Sequence, residues 1–64
     1  MEEYQVRVIE EKEQLEEKIA ALVEFMHGGI YPSMAAIDQG LLMVQLDHMR
    51  MYSDVLCRRI ERFS

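Results

Sequence analysis

The sequence predicts an all-α protein, a single antiparallel hairpin of two helices that covers its apolar surface by pairing with further copies of itself. Two long stretches have helical periodicity, a Gly/Pro-containing break separates them, and half of the 64 residues are hydrophobic. So short a chain rarely builds a sufficient core alone, and disulfides, metals or oligomerisation normally compensate. One cysteine, Cys57, allows no internal disulfide, and the two histidines are far apart, so oligomerisation remains.

The first helix is predicted over about residues 2–26, a stretch without Gly or Pro that is rich in helix-favouring Glu, Lys, Leu, Ile and Ala. Steps of three, four and seven describe one helical face. The apolar residues on that face are Tyr4, Val8, Leu15, Ile19, Leu22 and Met26.

A break is predicted directly after this helix. Gly28 and Gly29 follow the last periodic residue, and Pro32 cannot continue a preceding helix. Ser33 then offers a hydroxyl that could cap the next helix. A short loop between two long helices makes them antiparallel neighbours.

The second helix is predicted over about residues 34–63, with a seven-residue repeat of apolar side chains and a helix-weakening glycine, Gly40. That glycine could bend the helix or leave a separate first turn, Met34–Gln39. More than one apolar stripe follows this helix, which predicts that it lies in the middle of an assembly. A dimer forming a four-helix bundle is the simplest closure, and larger closed rings are also allowed. The predicted oligomer interface comprises Leu42, Leu46, Met49, Tyr52, Val55, Leu56, Ile60 and Phe63.

Charge is distributed unevenly over this one domain, residues 1–64. Through Met26 there are eight carboxylates and three basic residues, and from His27 onward four of each. An acidic surface argues against binding to duplex nucleic acid. No apolar run approaches the ~18 residues of a membrane span. The acidic N-terminus does not resemble a targeting peptide, so we expect a cytoplasmic protein.

Basic residues gather near the end of the second helix, where Arg58, Arg59 and Arg62 occur within five positions. In an antiparallel hairpin this end lies beside Tyr4 and Arg7. One interpretation is compensation of the helix dipole, with ion pairs to Glu2, Glu3 and Glu61. The other is an anion pocket, because Arg matches phosphate oxygens and an aromatic ring can stack on a base.

Enzymatic chemistry is not indicated by any motif. The sequence contains no nucleophile elbow, no phosphate-binding loop, no dinucleotide-binding glycine pattern and no metal-ligand spacing. Cys57 could be activated by Arg58 and Arg59, but its place near the helix interface favours an inert, buried thiol. We therefore expect no enzyme, no cofactor and no metal.

The pattern of residues nevertheless resembles a family of short phage and prophage proteins, first labelled from crAss-like phages. The residues that carry the resemblance are Tyr4-Gln5-Val6-Arg7-Val8, Glu11-Lys12, Leu15, Lys18-Ile19, Leu22, Phe25, Asp38-Gln39, Leu41-Leu42, Gln45-Leu46, Met49, Tyr52, Leu56 and Arg59-Ile60. This resemblance covers nearly the whole chain and implies a phage origin and a life inside an infected bacterium.

A weaker likeness is to the helical hairpins that phages use as sponges for immune nucleotides, such as anti-CBASS and anti-Thoeris proteins. It implies a counter-defence protein that sequesters a cyclic nucleotide or an ADP-ribose type signal between subunits. The candidate ligand-binding residues, from this likeness and from the arginine cluster, are Tyr4, Arg7, Lys18, Tyr52, Arg58, Arg59 and Arg62. The alternatives are a module that binds and inhibits or adapts a host protein, and a purely structural oligomer.

Overall fold

The fold is a two-helix hairpin. A computed structural model describes residues 1–63, in which α1 spans Glu3–Met26 and α2 spans Ala36–Glu61. A short 3₁₀ helix, Tyr31–Ser33, lies in the connection, and these residues contain no β-strand. The molecule measures 46 × 15 × 13 Å, a rod somewhat longer than either helix alone. The predicted all-α hairpin is confirmed.

The two helices run antiparallel, as contacts between distant parts of the chain show. The Tyr4 ring packs against Phe63, so the start of α1 lies beside the end of α2. Further along, the Ser53 hydroxyl donates a hydrogen bond to Glu16 across the two helices. Neither helix among residues 1–63 has the length and apolar character needed to cross a bilayer.

One line of apolar side chains between α1 and α2 forms the core. Leu56 is its most buried member, at 1% exposure, and clusters with Val8 and Leu15. Leu46 is the remaining buried apolar residue of the described chain. Partly buried side chains pack against the cluster and extend it, namely Ile19, Met49, Ile60 and Phe63.

The end of α1 is closed by hydrogen bonds rather than by a left-handed glycine. The ring Nδ1 of His27 lies 2.8 Å from the Val23 carbonyl oxygen, and the Gly28 N–H donates to the Phe25 carbonyl. Every residue that the structure describes has a negative φ. Glycine at position 28 instead avoids a tight contact, because a Cβ there would lie 3.3 Å from the Phe25 oxygen.

The prediction that Ser33 caps the second helix is wrong. Its hydroxyl donates to the Ile30 carbonyl at 2.7 Å and so stabilises the 3₁₀ helix. Hydroxyl groups often bond to nearby backbone in this way and so compete with capping. The N-cap is Ala35, without a side-chain hydrogen bond, and α2 begins at Ala36 rather than 34.

Gln39 ties the connection to the first turn of α2. Its Nε2 donates to the Met34 and Pro32 carbonyls at 3.0 and 3.3 Å. The Tyr31 hydroxyl in turn donates to the Gln39 carbonyl at 3.2 Å. The two bonds from the Gln39 side chain give hydrogen-bond partners to backbone carbonyls of the connection.

Gly40 does not divide α2, which runs without interruption through that position. The separate first turn considered for Met34–Gln39 is therefore wrong. A Cβ at Gly40 would meet nothing within 4 Å. The helix ends at Glu61 rather than 63, because Arg62 is its C-cap.

Ser53 is the one buried polar residue among those described, at 7% exposure. It occupies the α1-facing side of α2, and its Oγ lies 2.5 Å from Glu16 Oε1. Lys12 Nζ donates to the same oxygen at 3.1 Å. These hydrogen bonds, from Ser53 first and then Lys12, lower the pKa of Glu16 below its ordinary value of 4.5.

We expect Gly40→Ala to raise the free energy of unfolding by about 1 kcal/mol, because alanine loses less backbone entropy in a helix interior. Urea denaturation followed by circular dichroism measures the change. Gly28→Ala is the matched control and should not stabilise, because its new Cβ approaches the Phe25 oxygen. A loss of stability in Gly40→Ala would contradict the open surroundings of this glycine.

We expect Ser53→Ala to raise the pKa of Glu16 towards 4.5. A carboxylate whose pKa is lowered by folding stabilises the fold above its unfolded pKa and loses that contribution as pH falls through its folded pKa. The variant should therefore be less stable than wild type at pH 7, with a smaller difference in acid. Carbon-detected NMR titration of Glu16 and urea melts at two pH values measure both effects.

Ser33→Ala is the control for this experiment, since the Ser33 hydroxyl bonds only to a backbone carbonyl. Its effect on stability should be the same at both pH values. A Ser53→Ala variant that leaves the Glu16 titration unchanged would show that the interhelical bond is not formed in solution.

Candidate functional site

The open end of the hairpin is the part of the molecule where α1 starts and α2 finishes. An edge-to-face pair of Tyr4 and Phe63 joins the two helices there, with ring centroids 5.9 Å apart and planes at 84°. Tyr4 remains 57% exposed despite this contact. An exposed aromatic ring held by a neighbour can stack on a planar ligand without first being ordered.

Four arginines lie at the same end of the hairpin as this aromatic pair. Arg58 and Arg59 lie in the last turn of α2 and Arg62 is its C-cap, while Arg7 lies in α1 one turn after Tyr4. Positive side chains near a helix C-terminus interact favourably with its dipole. The grouping that the sequence predicted at this end is therefore present in the backbone arrangement.

Two of these arginines have acidic partners on their own helix. Arg7 pairs with Glu3 at 2.6 Å and Arg58 with Asp54 at 3.1 Å. Both pairs are largely exposed, where an ion pair contributes only about 0.2–1 kcal/mol and exchanges readily with another anion. The expected ion pairs from the cluster to Glu2 and Glu61 are not formed within residues 1–63.

Arg59 and Arg62 make no ion pair with any Asp or Glu of residues 1–63. Both are exposed. A guanidinium group offers five N–H donors in a planar fork that fits a carboxylate or phosphate with two parallel hydrogen bonds. These two residues can therefore bind an anion at the open end without first breaking an ion pair within residues 1–63.

Lys18 and Tyr52 lie away from the open end. Lys18 follows Tyr4 by fourteen positions on α1, which is ~21 Å at ~1.5 Å per residue. Tyr52 precedes Arg59 by seven positions, or ~10 Å. A single hairpin thus separates the predicted ligand-binding residues into a group of five at one end and two outlying side chains.

The residues predicted as an oligomer interface lie mostly on the α1-facing side of α2. Leu46 and Leu56 are buried within the hairpin itself, whereas Tyr52 and Val55 are exposed. The remaining members are half-buried in one chain, namely Leu42, Met49, Ile60 and Phe63. No second copy is present, so this interface stays a prediction.

A groove of about 550 Å³ runs beside the core, lined by Ile9, Lys12, Glu13, Glu16, Glu17 and Ile60. Three carboxylates face one ammonium group, so the groove is acidic and repels a phosphate. The lowered pKa of Glu16 keeps this carboxylate ionised, whereas a general acid or base works best with a pKa near the operating pH. The groove therefore lacks the electrostatics of an anion site.

The hydrogen bond between Ser53 and Glu16, a residue that lines this groove, was not predicted from the sequence. Ser53 was assigned no role from the sequence, although it belongs to the seven-residue spacing that also contains Leu46 and Ile60. That spacing is the signal that could have placed it between the helices.

The predicted burial of Cys57 is met only in part, because its thiol is half-buried and donates to Glu61 at 3.6 Å. Within residues 1–63, no three His, Cys, Asp or Glu side chains converge in a way that could hold a metal ion.

Comparisons with known proteins show which family the chain belongs to. It is 40% identical over 60 residues to an uncharacterized 7.5 kDa protein from the denB-rIIB intergenic region of Enterobacteria phage T4, and the match covers 94% of each chain. No solved structure matches. A family model described as Sequestin matches residues 2–62. The predicted likeness to short phage proteins is thus confirmed, and the chain belongs to the Sequestin family.

Proposed function

We propose that this protein sequesters a small anionic nucleotide, of the cyclic nucleotide or ADP-ribose class, as a homo-oligomer and releases it unchanged. The observation that carries the proposal is the pair of exposed arginines, Arg59 and Arg62, that have no acidic partner within residues 1–63 and lie at the same end as the Tyr4–Phe63 aromatic pair. Phosphate oxygens would receive the guanidinium hydrogen bonds, and a base would stack on the Tyr4 ring. The family description, Sequestin, supports sequestration as the mode of action.

The overall charge favours a small ligand over a nucleic acid. The chain carries a net charge of −5, most of it on α1, so a long polyanion would be repelled along the rod. A nucleotide with one or two phosphates need contact only the arginine end. The phage relative is consistent with action on a signalling nucleotide inside an infected bacterium, in the cytoplasm.

Turnover of the ligand is not part of this proposal. The open end has aromatic and guanidinium groups, which can bind and orient a nucleotide. A sponge needs only binding, since it acts by lowering the free concentration of a signal. Such a protein would inhibit signalling in proportion to the number of its binding sites, because each site removes one nucleotide and does not turn over.

A second candidate function, binding to a host protein, is favoured by the apolar surface of α2. Leu41, Met43, Val44 and Met51 are each more than half exposed. Contiguous exposed apolar surface marks protein interaction sites, and methionine adapts to varied partners. Capture of one host protein in a stoichiometric complex from a bacterial lysate would favour this function over the first.

Calorimetric titration with a panel of cyclic dinucleotides, cyclic trinucleotides and ADP-ribose derivatives tests the proposal. We expect at least one member to bind, and liquid chromatography should recover it intact after heat denaturation of the protein. Absence of binding by every member would contradict the proposed function. Recovery of a cleaved product would contradict the assignment as a non-enzymatic sponge.

Arg59→Ala should weaken binding of that nucleotide about 10- to 100-fold, because a charge-assisted hydrogen bond is worth about 1.5–3 kcal/mol. Arg50→Ala is the matched control, since Arg50 is an exposed arginine of α2 that lies ~14 Å along the helix from Arg59. Its affinity should stay within about twofold of wild type. Equal losses in both variants would indicate general electrostatics rather than a site, and no loss in either would show that the nucleotide binds away from Arg59.

A further inference from the structure

The outward face of α2 carries an apolar stripe that α1 does not cover. Its members, Ile37, Leu41, Val44, Met51 and Val55, are each between 51% and 72% exposed. They follow one another at helical spacing, and exposed His48 occupies the one polar position among them. We call this set, including His48, the outward stripe.

This stripe is distinct from the line of contact with α1. Val44 precedes the buried Leu46 by two positions, which is ~200° around a helix with ~3.6 residues per turn. The structure thus separates two apolar faces on one helix, the inner one used within the hairpin and the outer one open. A helix that is apolar on two sides is normally covered on both.

The exposed surface area of the chain also indicates that the outer face of α2 is covered in solution. A folded monomer of 7.6 kDa is expected to expose about 4,300 Å², whereas the hairpin exposes 4984 Å². The excess of about 700 Å² is close to the ~800 Å² that each partner buries in a standard protein interface. If each chain buried one further surface of the area found in a stable dimer interface, its exposed area would fall to about the value expected for its mass.

The outward stripe is complementary to itself when two helices run antiparallel. Its successive intervals are four, three, four, three and four residues, which read the same in either direction. A two-fold axis at the level of Leu46 therefore brings every position of the stripe opposite another. The facing pairs are Ile37 with the partner's Val55, Leu41 with the partner's Met51, and Val44 with the partner's His48.

Parallel pairing is disfavoured by the arginines that continue the stripe. Arg58 and Arg62 occupy its next two positions. In a parallel pair each would face its own copy, and like charges facing each other across an interface cost several kcal/mol, as a general estimate. In the antiparallel pair they extend past the partner's Ile37, towards the partner's loop.

We propose that two copies of this chain pair antiparallel through the outward stripe, with the two-fold axis at the level of Leu46. The inference deepens the self-association that the proposed function includes, by naming its surface and orientation. An isologous contact of this kind closes the assembly at two copies. The open ends, with Arg59 and Arg62, then lie at opposite ends of the dimer.

The mass of the ligand-free protein tests the pairing separately from nucleotide binding. Sedimentation equilibrium at about 100 µM, where a dimer of micromolar Kd is mostly formed, should give twice 7.6 kDa. A monomer at this concentration would overturn the inference, and so would a larger assembly. Neither result would by itself contradict nucleotide binding at the open end.

A substitution pair tests which face is used. Val44→Glu should weaken dimerisation by at least ~100-fold, because it places a carboxylate in the apolar contact. Met43→Glu is the matched control, since Met43 is equally exposed but lies ~100° away on the helix. It should leave the dimer intact. Dissociation by Met43→Glu, or a dimer that survives Val44→Glu, would overturn the assignment of the face.

A milder variant covers the case in which Val44→Glu fails to fold. Met51→Gln removes apolar contact without adding a charge and should weaken the dimer about tenfold while retaining the helical circular dichroism spectrum. Unchanged dimerisation in Met51→Gln would count against the outward stripe.

The orientation is measured with a spin label on the loop. Gly29→Cys in a Cys57→Ser background carries the label, because a Cβ at Gly29 meets nothing within 4 Å. In the antiparallel pair the two labels should be more than about 30 Å apart, since Ala36 already lies ~15 Å from the axis. A shorter distance would overturn the antiparallel arrangement.

Discussion

The contact between α1 and α2 is a single line of apolar side chains, and the rest of the molecule depends on how little area that line provides. Among residues 1–63, Leu56 is the one side chain that is almost wholly removed from water. Two helices that touch along one line form a rod rather than a sphere, so most of each helix stays exposed. On α1 the exposed part is acidic and needs no cover. On α2 it includes the outward stripe, which is the surface that we propose for pairing with a second copy.

Ser53 adds specificity to this contact. An apolar line with regular spacing can slide by one helical turn with little loss of contact, because Leu, Met and Ile substitute for one another. The hydrogen bond from the Ser53 hydroxyl to Glu16, supported by Lys12, exists in one alignment only. A single polar group inside the apolar line can thus fix the relative position of the helices. The same hydrogen bonds, from Ser53 and then from Lys12, lower the pKa of Glu16.

Sequence periodicity was sufficient for the helices and the inner apolar line, because these depend on side-chain spacing, and the short Gly/Pro-containing loop was sufficient for their antiparallel course. It failed at Ser33, where two local hydrogen bonds compete and the hydroxyl bonds backwards to Ile30. Ser53 was overlooked because a polar residue within an apolar repeat is read as an interruption. The arginine group at the open end followed from topology. Lys18 and Tyr52 were added through likeness to other hairpins, and the structure places both along the rod instead.

The contact between Tyr4 and Phe63 has a practical consequence for handling this protein. It brings the first turn of α1 and the last residues of α2 to the same end, so any tag or fusion joined at either terminus would crowd Arg59 and Arg62. The connection near Gly29 lies at the other end of a 46 Å rod, and added atoms there meet no neighbour. A fluorophore or affinity handle in the loop would therefore lie away from the arginine end of its own chain and, in the proposed antiparallel pair, close to the arginine end of its partner.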